Sequence, residues 1–200
     1  MLGVEWRALP DFALENASIN QDHARHREDL PLKTLHLLRH AKADRGNDRD
    51  HARPLAKRGV DAARAMAEHL KAENFKVDAV FSSTAKRTRE TCELIKGALG
   101  AAPVQFRDEL YLMDADGLLA FIHALPRDAR RVLMIGHDPG YHILANQLVD
   151  PACGSDDLAA LADKFPTGAL CSLGFAGTAW TDVMPGAGDL LAFVRPKDFD

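Results

Sequence analysis

Cysteine is scarce in this 200-residue chain, which contains three. Cys92, Cys153 and Cys171 are too few and too scattered for a disulfide framework or a thiolate metal site. We expect these thiols to be buried or incidental in a protein of a reducing compartment. The sequence contains no obvious ligand cluster either, so it predicts neither a metal ion nor a cofactor.

Long hydrophobic runs and an excess of basic residues are also absent. No stretch approaches the roughly 20 apolar residues of a membrane span, and residues 1–6 lack the charged and apolar segments of a secretion signal. The formal net charge is −4, whereas polyanion binders usually carry a net basic surface. We therefore expect a cytoplasmic location, no membrane or nucleic-acid partner, and at most a local anion site.

The apolar content is sufficient for one core, because 46% of the residues are hydrophobic. From residue 34 onward, strand and helix patterns alternate with short connectors, which is typical of a βαβ organisation. We predict a single domain over residues 34–200. Residues 1–33 are mostly polar and are predicted to be a flexible or loosely docked N-terminal extension, with His23 and His26 solvated rather than sharing a metal.

Apolar periodicity places the elements of this domain along the chain. Strands are predicted at residues 34–38, 77–81, 104–106, 131–135, 170–175 and 190–194. Helices are predicted at residues 55–75, 85–99, 116–125 and 141–148, with a short helical piece at 158–162.

The most informative stretch is residues 37–42, in which an apolar run ends in Arg39 and His40. In open α/β sheets the reacting groups lie just past the carboxyl ends of the strands. A neutral imidazole can attack phosphorus, and a guanidinium matches the oxygens of a phosphoryl group. The pair therefore suggests phosphoryl transfer through a phosphohistidine, although Arg-His pairs also occur by chance.

Two later strand ends carry further arginine and histidine side chains that suit the same phosphoryl group. Residues 82–91 lead from a short apolar strand into a helix with Arg87 and Arg89 near its start, and helix N-termini attract anions. Residues 131–135 are predicted to form a central strand that ends just before His137. Arginines and histidines from different strand ends are therefore expected around one tetrahedral anion.

These motifs resemble, in order, the signatures of the histidine phosphatase superfamily, and within it those of the small SixA-like phosphohistidine phosphatases. The matching segments are residues 37–42, 53–59, 82–91, 136–139, 165–168, Trp180 and 195–197. The resemblance covers residues 34–197 and departs from the family at Thr84, where proline is common, and at Asp138, where asparagine is. It implies a phosphoglycerate mutase-like fold, an α/β three-layer sandwich whose mostly parallel central sheet is flanked by helices.

Phosphoryl transfer on this scaffold assigns His40 as the nucleophile, with a backbone carbonyl holding its other ring N–H. Arg39 and Arg87 would bind the equatorial phosphoryl oxygens and lower the pKa of His40. His137 would donate a further hydrogen bond as an imidazolium. The resemblance places the second phosphate-binding arginine at Arg87, and Arg89 is the alternative.

The other candidate residues have two interpretations each. Asp108, or the neighbouring Glu109, is the predicted general acid, and either could instead be a surface charge. Lys42 is predicted either to bind the phosphate or to point to water. Arg53 and Arg58 are expected to stabilise the fold or a loop rather than to touch phosphate.

Three functions fit these residues. The first is a protein phosphohistidine phosphatase that acts through a phosphoenzyme, with a phosphohistidine domain of another protein as its partner. A leaving imidazole departs more easily than an alkoxide, so this substrate does not require a strong acid. The second is a small-molecule phosphomonoesterase or mutase; the mutase is disfavoured because the stretch from Thr91 to Arg131 leaves little room for a lid. The third, a non-catalytic phosphate-binding module, has no reason to retain the nucleophile.

Overall fold

The computed structural model describes residues 33–46, 49–152 and 155–199. The predicted N-terminal extension, with His23 and His26, and Cys153 lie outside the described residues, so what the sequence predicts for them stays a prediction. Cys92 and Cys171 are buried free thiols. Burial raises the pKa of the Cys92 thiol to about 11, which disfavours the reactive thiolate.

Strands and helices alternate along the described part of the chain. The strands are β1 (Lys33–Arg39), β2 (Ala79–Ser83), β3 (Val104–Arg107), β4 (Arg131–Gly136), β5 (Leu170–Phe175) and β6 (Asp189–Val194). The α-helices are α1 (Lys57–Ala72), α2 (Lys86–Ile95), α3 (Ala115–His123), α4 (Gly140–Leu148) and α5 (Asp156–Asp163). Short 3-10 turns at Asp50–Ala52 and Asp108–Leu110 lie in the connections that follow β1 and β3.

The strands form one sheet in the order β3-β2-β4-β1-β5-β6. The strands β1 to β4 run parallel, whereas β5 is antiparallel to β1 and β6 is antiparallel to β5. The carboxyl ends of β1, β2 and β4 therefore share one edge of the sheet, where ligands bind in open α/β folds. This arrangement brings the three predicted site segments together.

Helices cover both faces of the sheet, which confirms the predicted three-layer α/β sandwich. Alternate residues of β4 belong to different layers: Val132 and Met134 pack in the core with α3, α4 and α5, whereas Leu133 and Ile135 pack with α1 and α2. Because both faces of β4 are buried, its sequence is a continuous apolar run. The same burial holds the end of β4 rigidly beneath the site.

All the predicted strands and helices are present, and β2 is the informative difference because it begins two residues later than predicted, at Ala79. The Asp78 carboxylate accepts hydrogen bonds from the backbone N–H groups of Arg130 (2.9 Å) and Arg131 (2.8 Å). Asp78 therefore secures the start of β4. The strand β2 instead continues through Ser83, which the sequence places in the connector.

His36 in β1 is a buried histidine outside the predicted site. Its Nδ1 lies 2.8 Å from Ser172 Oγ, and its ring packs edge-on against Phe75. Burial lowers the pKa of His36 to about 4, so the ring stays neutral in the folded protein near neutral pH.

The stability of the fold should therefore depend on the protonation of His36. Unfolded chains have a histidine pKa of about 6.5, so the unfolded state binds more protons as the pH falls from about 6.5 to about 4. We expect His36 alone to remove about 3 kcal/mol of unfolding free energy over that interval, as measured by urea unfolding at successive pH values. His36→Gln should reduce this dependence by that amount and leave the part that arises from the lowered pKa values of His40 and His137. An unchanged slope in the variant would exclude His36 as a contributor.

Candidate active site

The backbone fixes His40 at the end of β1. Its N–H donates to the Gly136 carbonyl (3.0 Å), which joins the ends of β1 and β4, and its carbonyl accepts from the Gly168 N–H (3.1 Å). Gly168 has a φ of +82°, a left-handed conformation that glycine adopts without steric cost. The next N–H, that of Ala41, donates to Thr91 Oγ1 (3.1 Å). The imidazole of His40 is thus attached to a strand end that is held from three sides.

The contacts of the His40 ring define its tautomer. Nδ1 lies 2.7 Å from the Ala41 carbonyl oxygen, which only accepts, so Nδ1 carries the proton. Nε2 lies 3.2 Å from Nε of Arg87, and a guanidinium only donates, so Nε2 accepts with its lone pair. The carbonyl that the sequence predicts as the partner of this ring is therefore that of Ala41.

Burial is the main cause that keeps His40 neutral. It lowers the pKa of His40 to about 4; the hydrogen bond to Ala41 opposes this shift, and the charges of Arg87 and Arg39 add to it. The arginines therefore act as the sequence predicts, although their effect is smaller than that of burial.

The Arg87 guanidinium links three segments of the chain. It lies in the first turn of α2 and is 4% exposed. Besides its contact with His40, it donates from Nη1 to the Asp50 backbone carbonyl (2.5 Å) and from Nη2 to Asp50 Oδ2 (3.0 Å). Nη2 also lies 3.3 Å from Nδ1 of His137. One buried cation therefore contacts the histidines that follow β1 and β4.

His137 is neutral and has a defined tautomer. Its Nδ1 faces Arg87, so it accepts, and its Nε2–H donates to Ser83 Oγ (2.8 Å). Burial is the main cause that lowers the pKa of His137 to about 3; next come the nearby His40 ring, with which it would share positive charge if both were protonated, and the charge of Arg87. The imidazolium that the sequence predicts at His137 is one that donates to a bound phosphoryl group, and it stays a prediction. The depth of burial that keeps the ring neutral in the free protein could not be read from the sequence.

Arg39 approaches the same site from the last position of β1. Its Nη1 donates to the Phe165 carbonyl (2.5 Å) and lies 3.5 Å from Asp138 Oδ2. Its Nε is buried without a hydrogen-bond partner among the described residues. Buried donors are normally paired, so this N–H is an unsatisfied donor in a residue that lines the cavity.

Asp50 and Tyr111 are site residues to which the sequence assigns no role. Asp50 Oδ2 accepts hydrogen bonds from the Tyr111 hydroxyl (2.5 Å) and from Arg87, and Oδ1 accepts from Arg53 Nη1 (2.8 Å). The short distance from Asp50 to Arg53 in the sequence is the one available signal, because an aspartate three residues before an arginine forms an ion pair across one turn. The contacts of Asp50 with Arg87 and Tyr111 depend instead on the tertiary fold, which the local sequence does not show.

Arg39, His40, Asp50 and Arg87 line an open cavity of about 320 Å³ at the carboxyl edge of the sheet, whereas His137 and Tyr111 lie behind this lining and contact it through Arg87 and Asp50. Its charged lining consists of four cations, Arg39, Lys42, Arg53 and Arg87, and two carboxylates, Asp50 and Asp138. Lys42 therefore lies at the cavity, and Arg53 both lines it and holds the preceding loop through the Asp44 carbonyl (2.9 Å). The excess of cations makes a local anion site in a chain whose net charge is negative.

Besides His137, three sequence candidates lie away from the cavity lining. Asp108 and Glu109 are in the 3-10 turn after β3, and Glu109 accepts a hydrogen bond from Arg107 Nε (2.7 Å). The structure does not bring either carboxylate to the cavity. Arg89 packs over Phe106, with 4.2 Å from Cζ to the ring centroid, so Arg87 is the arginine of this helix that reaches the histidines.

Two features are absent from the described residues. In this part of the chain, no group of three or more His, Cys, Asp or Glu side chains is arranged to hold a metal ion. None of the helices described is long and apolar enough to cross a membrane.

Comparisons with known proteins agree on one family. The family model of the histidine phosphatase superfamily (branch 1) matches residues 35–118. The chain is 34% identical over 163 residues to an uncharacterized protein of Mycobacterium tuberculosis, and the match covers 80% of this chain and 100% of that protein.

Solved structures give the same result. A protein of Nakamurella multipartitia, assigned as a phosphohistidine phosphatase SixA, superimposes with a TM-score of 0.71 at 37% identity over 82% of this chain and 96% of that chain. The protein histidine phosphatase SixA complexed with tungstate superimposes with a TM-score of 0.68 at 25% identity. The match covers 84% of this chain and 99% of that chain. The fold and the cavity thus define a hydrolase of the phosphatase class. The chain belongs to the histidine phosphatase superfamily and is SixA-like within it.

Proposed function

We propose that the protein is a protein phosphohistidine phosphatase that acts through a covalent phosphohistidine on His40. The observation that carries this proposal is the state of the His40 ring, with Nδ1–H held by Ala41 and the Nε2 lone pair beside Arg87. A neutral, rigidly held imidazole in a cationic cavity is a competent nucleophile toward phosphorus. Tungstate, a tetrahedral oxyanion, is bound by a related SixA, which supports a phosphoryl site in this family.

The reaction takes two steps. In the first, Nε2 of His40 forms a bond to phosphorus while the bond to the leaving group breaks, and the electron pair of that bond departs with the leaving group. In the second, a water oxygen attacks phosphorus, the bond between phosphorus and Nε2 of His40 breaks with its electron pair returning to Nε2, and inorganic phosphate leaves with the two protons of the water. The net reaction is hydrolysis, and the enzyme is regenerated.

Arg87 is suited to stabilise the first transition state more than the ground state. Its Nε–H donates to Nε2 of His40 in the free protein, and that lone pair is consumed as the bond to phosphorus forms. The N–H then becomes available to a phosphoryl oxygen at the moment when the charge spreads. Arg39, whose guanidinium also lines the cavity, would bind a second oxygen.

His137 would first position Arg87 and then respond to the substrate. Its neutral ring accepts from Arg87 and donates to Ser83 in the free protein. A bound phosphoryl dianion favours the charged form of a neighbouring histidine, and protonated Nδ1 would then donate to the phosphoryl group. Lys42, at the cavity wall, adds positive charge to the same site.

The position of Asp108 bears on the substrate. An acid away from the cavity suits a leaving imidazole, which needs less protonation than an alkoxide. We expect Asp108→Ala to lower kcat/KM on a phosphohistidine protein by less than about threefold, whereas loss of a true general acid costs about 10²-fold or more. A hundredfold loss with Asp108→Ala or Glu109→Ala would instead indicate ester hydrolysis.

The test of the proposed function compares substrates. The wild-type protein should release phosphate from a phosphohistidine domain with a higher kcat/KM than from p-nitrophenyl phosphate or sugar phosphates. A higher kcat/KM on a small ester would favour a phosphomonoesterase, and release from none of these substrates would favour a non-catalytic phosphate-binding module. The cytoplasmic location and the domain boundary near residue 34 stay predictions from the sequence.

A further inference from the structure

Asp50 places a negative charge inside the cationic cavity. Its Oδ2 accepts from Tyr111 and Arg87, and its Oδ1 accepts from Arg53. A carboxylate offers about four acceptor positions, so these contacts leave Oδ1 able to accept a further hydrogen bond. The hydrogen bond from Tyr111 and the charge of Arg87 lower the pKa of Asp50 to about 2, against the effect of burial. Asp50 is therefore an acceptor and not a proton donor near neutral pH.

Asp50 lies closer to solvent than the groups proposed to bind phosphorus. Its side chain is 47% exposed, whereas that of Arg87 is 4% exposed, and His40 is buried. In-line transfer puts the leaving group on the side of phosphorus opposite to the attacking atom. A substrate with its phosphoryl group on His40 and Arg87 therefore has its leaving group toward the mouth, at the level of Asp50.

We infer that the Asp50 carboxylate recognises the protonated imidazole ring of a phosphohistidine substrate and so selects phosphoimidazoles over phosphate esters. This inference rests on the proposed phosphohistidine phosphatase function. The ring N–H of the substrate donates to Oδ1 of Asp50, and the carboxylate stabilises the positive charge of the ring. A phosphate ester has neither group, so its leaving group offers nothing to offset the repulsion between Asp50 and the phosphoryl charge that both substrates carry.

The ring proton determines how readily the phosphorus–nitrogen bond breaks. When Nε2 of His40 attacks a protonated phosphoimidazole, the electron pair of that bond stays on the leaving ring, which departs as neutral imidazole with its N–H intact. An unprotonated ring departs as an imidazolate anion, a far poorer leaving group. Because Asp50 favours the protonated form, it maintains activity at pH values above the ordinary imidazole pKa of about 6.5.

Asp50→Asn tests this inference because it removes the charge and keeps the shape. We would measure kcat/KM for phosphohistidine and for p-nitrophenyl phosphate between about pH 5.5 and about pH 8.5, on either side of the imidazole pKa. Near the upper limit, phosphohistidine hydrolysis should fall about tenfold or more, as expected for loss of a charged hydrogen bond. The fall should be much smaller near the lower limit, where the ring is protonated without help. Because Asp50 also contacts Arg87, ester hydrolysis can fall as well, but its fall should be smaller than that of phosphohistidine hydrolysis near the upper limit and should not depend on the imidazole pKa.

Two further variants separate recognition of the ring from structural support. Asp50→Glu retains the charge and should retain the preference for phosphohistidine and its pH profile. Asp198→Asn removes a carboxylate that pairs with Arg195 (3.0 Å) away from the cavity lining. This control variant should keep the wild-type kcat/KM on both substrates.

The outcomes distinguish the inference from the proposed function. Equal losses on both substrates at every pH would show that Asp50 only holds Arg87 in place, and unchanged kinetics would show that it has no role; either result overturns the inference. Wild-type protein that releases no phosphate from phosphohistidine would overturn the proposed function itself.

Discussion

Replacing His40 with alanine is expected to lower kcat on phosphohistidine substrates by at least about 10³-fold, which corresponds to about 4 kcal/mol of transition-state stabilisation. The reason is that the neutral Nε2 of His40, buried beside Arg87, forms the bond to phosphorus. In the variant, water would have to attack the substrate directly, without a phosphoenzyme. Arg39 and Arg87 remain in the variant, so KM should change much less than kcat.

A histidine outside the cavity provides the control. His69 on α1 packs against Phe199, with ring centroids 5.2 Å apart, and His69→Ala should keep wild-type kcat. Circular dichroism should show that both variants are folded. A His40→Ala protein that turns over at nearly the wild-type rate would contradict the assignment of the nucleophile.

The second large effect is expected for Arg87→Ala, which should lower kcat/KM by about 10² to 10³-fold, the usual effect of removing one donor to a developing charge. The variant loses the Nε–H group of Arg87, whose hydrogen bond changes partner from Nε2 of His40 to a phosphoryl oxygen as the reaction proceeds. It also removes the charged partner of Asp50 and His137, so the remaining site is less ordered. Steady-state kinetics on a phosphohistidine protein would measure the loss.

Two other arginine variants make this prediction specific. Arg87→Lys keeps the charge but lacks the forked geometry that reaches three partners, so it should remain at least about tenfold below wild type. Arg89→Ala, which removes a side chain packed on Phe106, should be close to wild type. A larger loss for Arg89→Ala than for Arg87→Ala would reverse the assignment.

The fold could be predicted because its central strands are simple in sequence. The run from Arg131 to Gly136 is apolar at every interior position, since both faces of β4 are buried, and the helices repeat their apolar residues at one face. The start of β2 could not be predicted, because it depends on hydrogen bonds that the Asp78 carboxylate accepts from backbone N–H groups about 50 positions later. Local patterns do not contain such contacts.

The candidate site likewise contains residues that the sequence reveals and residues that it does not. Arg39, His40, Arg87 and His137 are recognisable because each follows a strand or begins a helix, and the parallel sheet brings those positions to one edge. Asp50 shares no such position, and it reaches the site only through the loop that follows β1. The sequence gives the order of the site segments but not the depth of burial, which sets the protonation of both histidines.

Rapid quench of the protein mixed with a radiolabelled phosphohistidine protein tests the central claim most directly. We predict transient label on the wild-type chain that is labile to acid and stable to base, as phosphohistidine is, and no label on His40→Ala. Label that persists on His40→Ala, or phosphate release by wild type without any labelled enzyme, would contradict a covalent intermediate on His40.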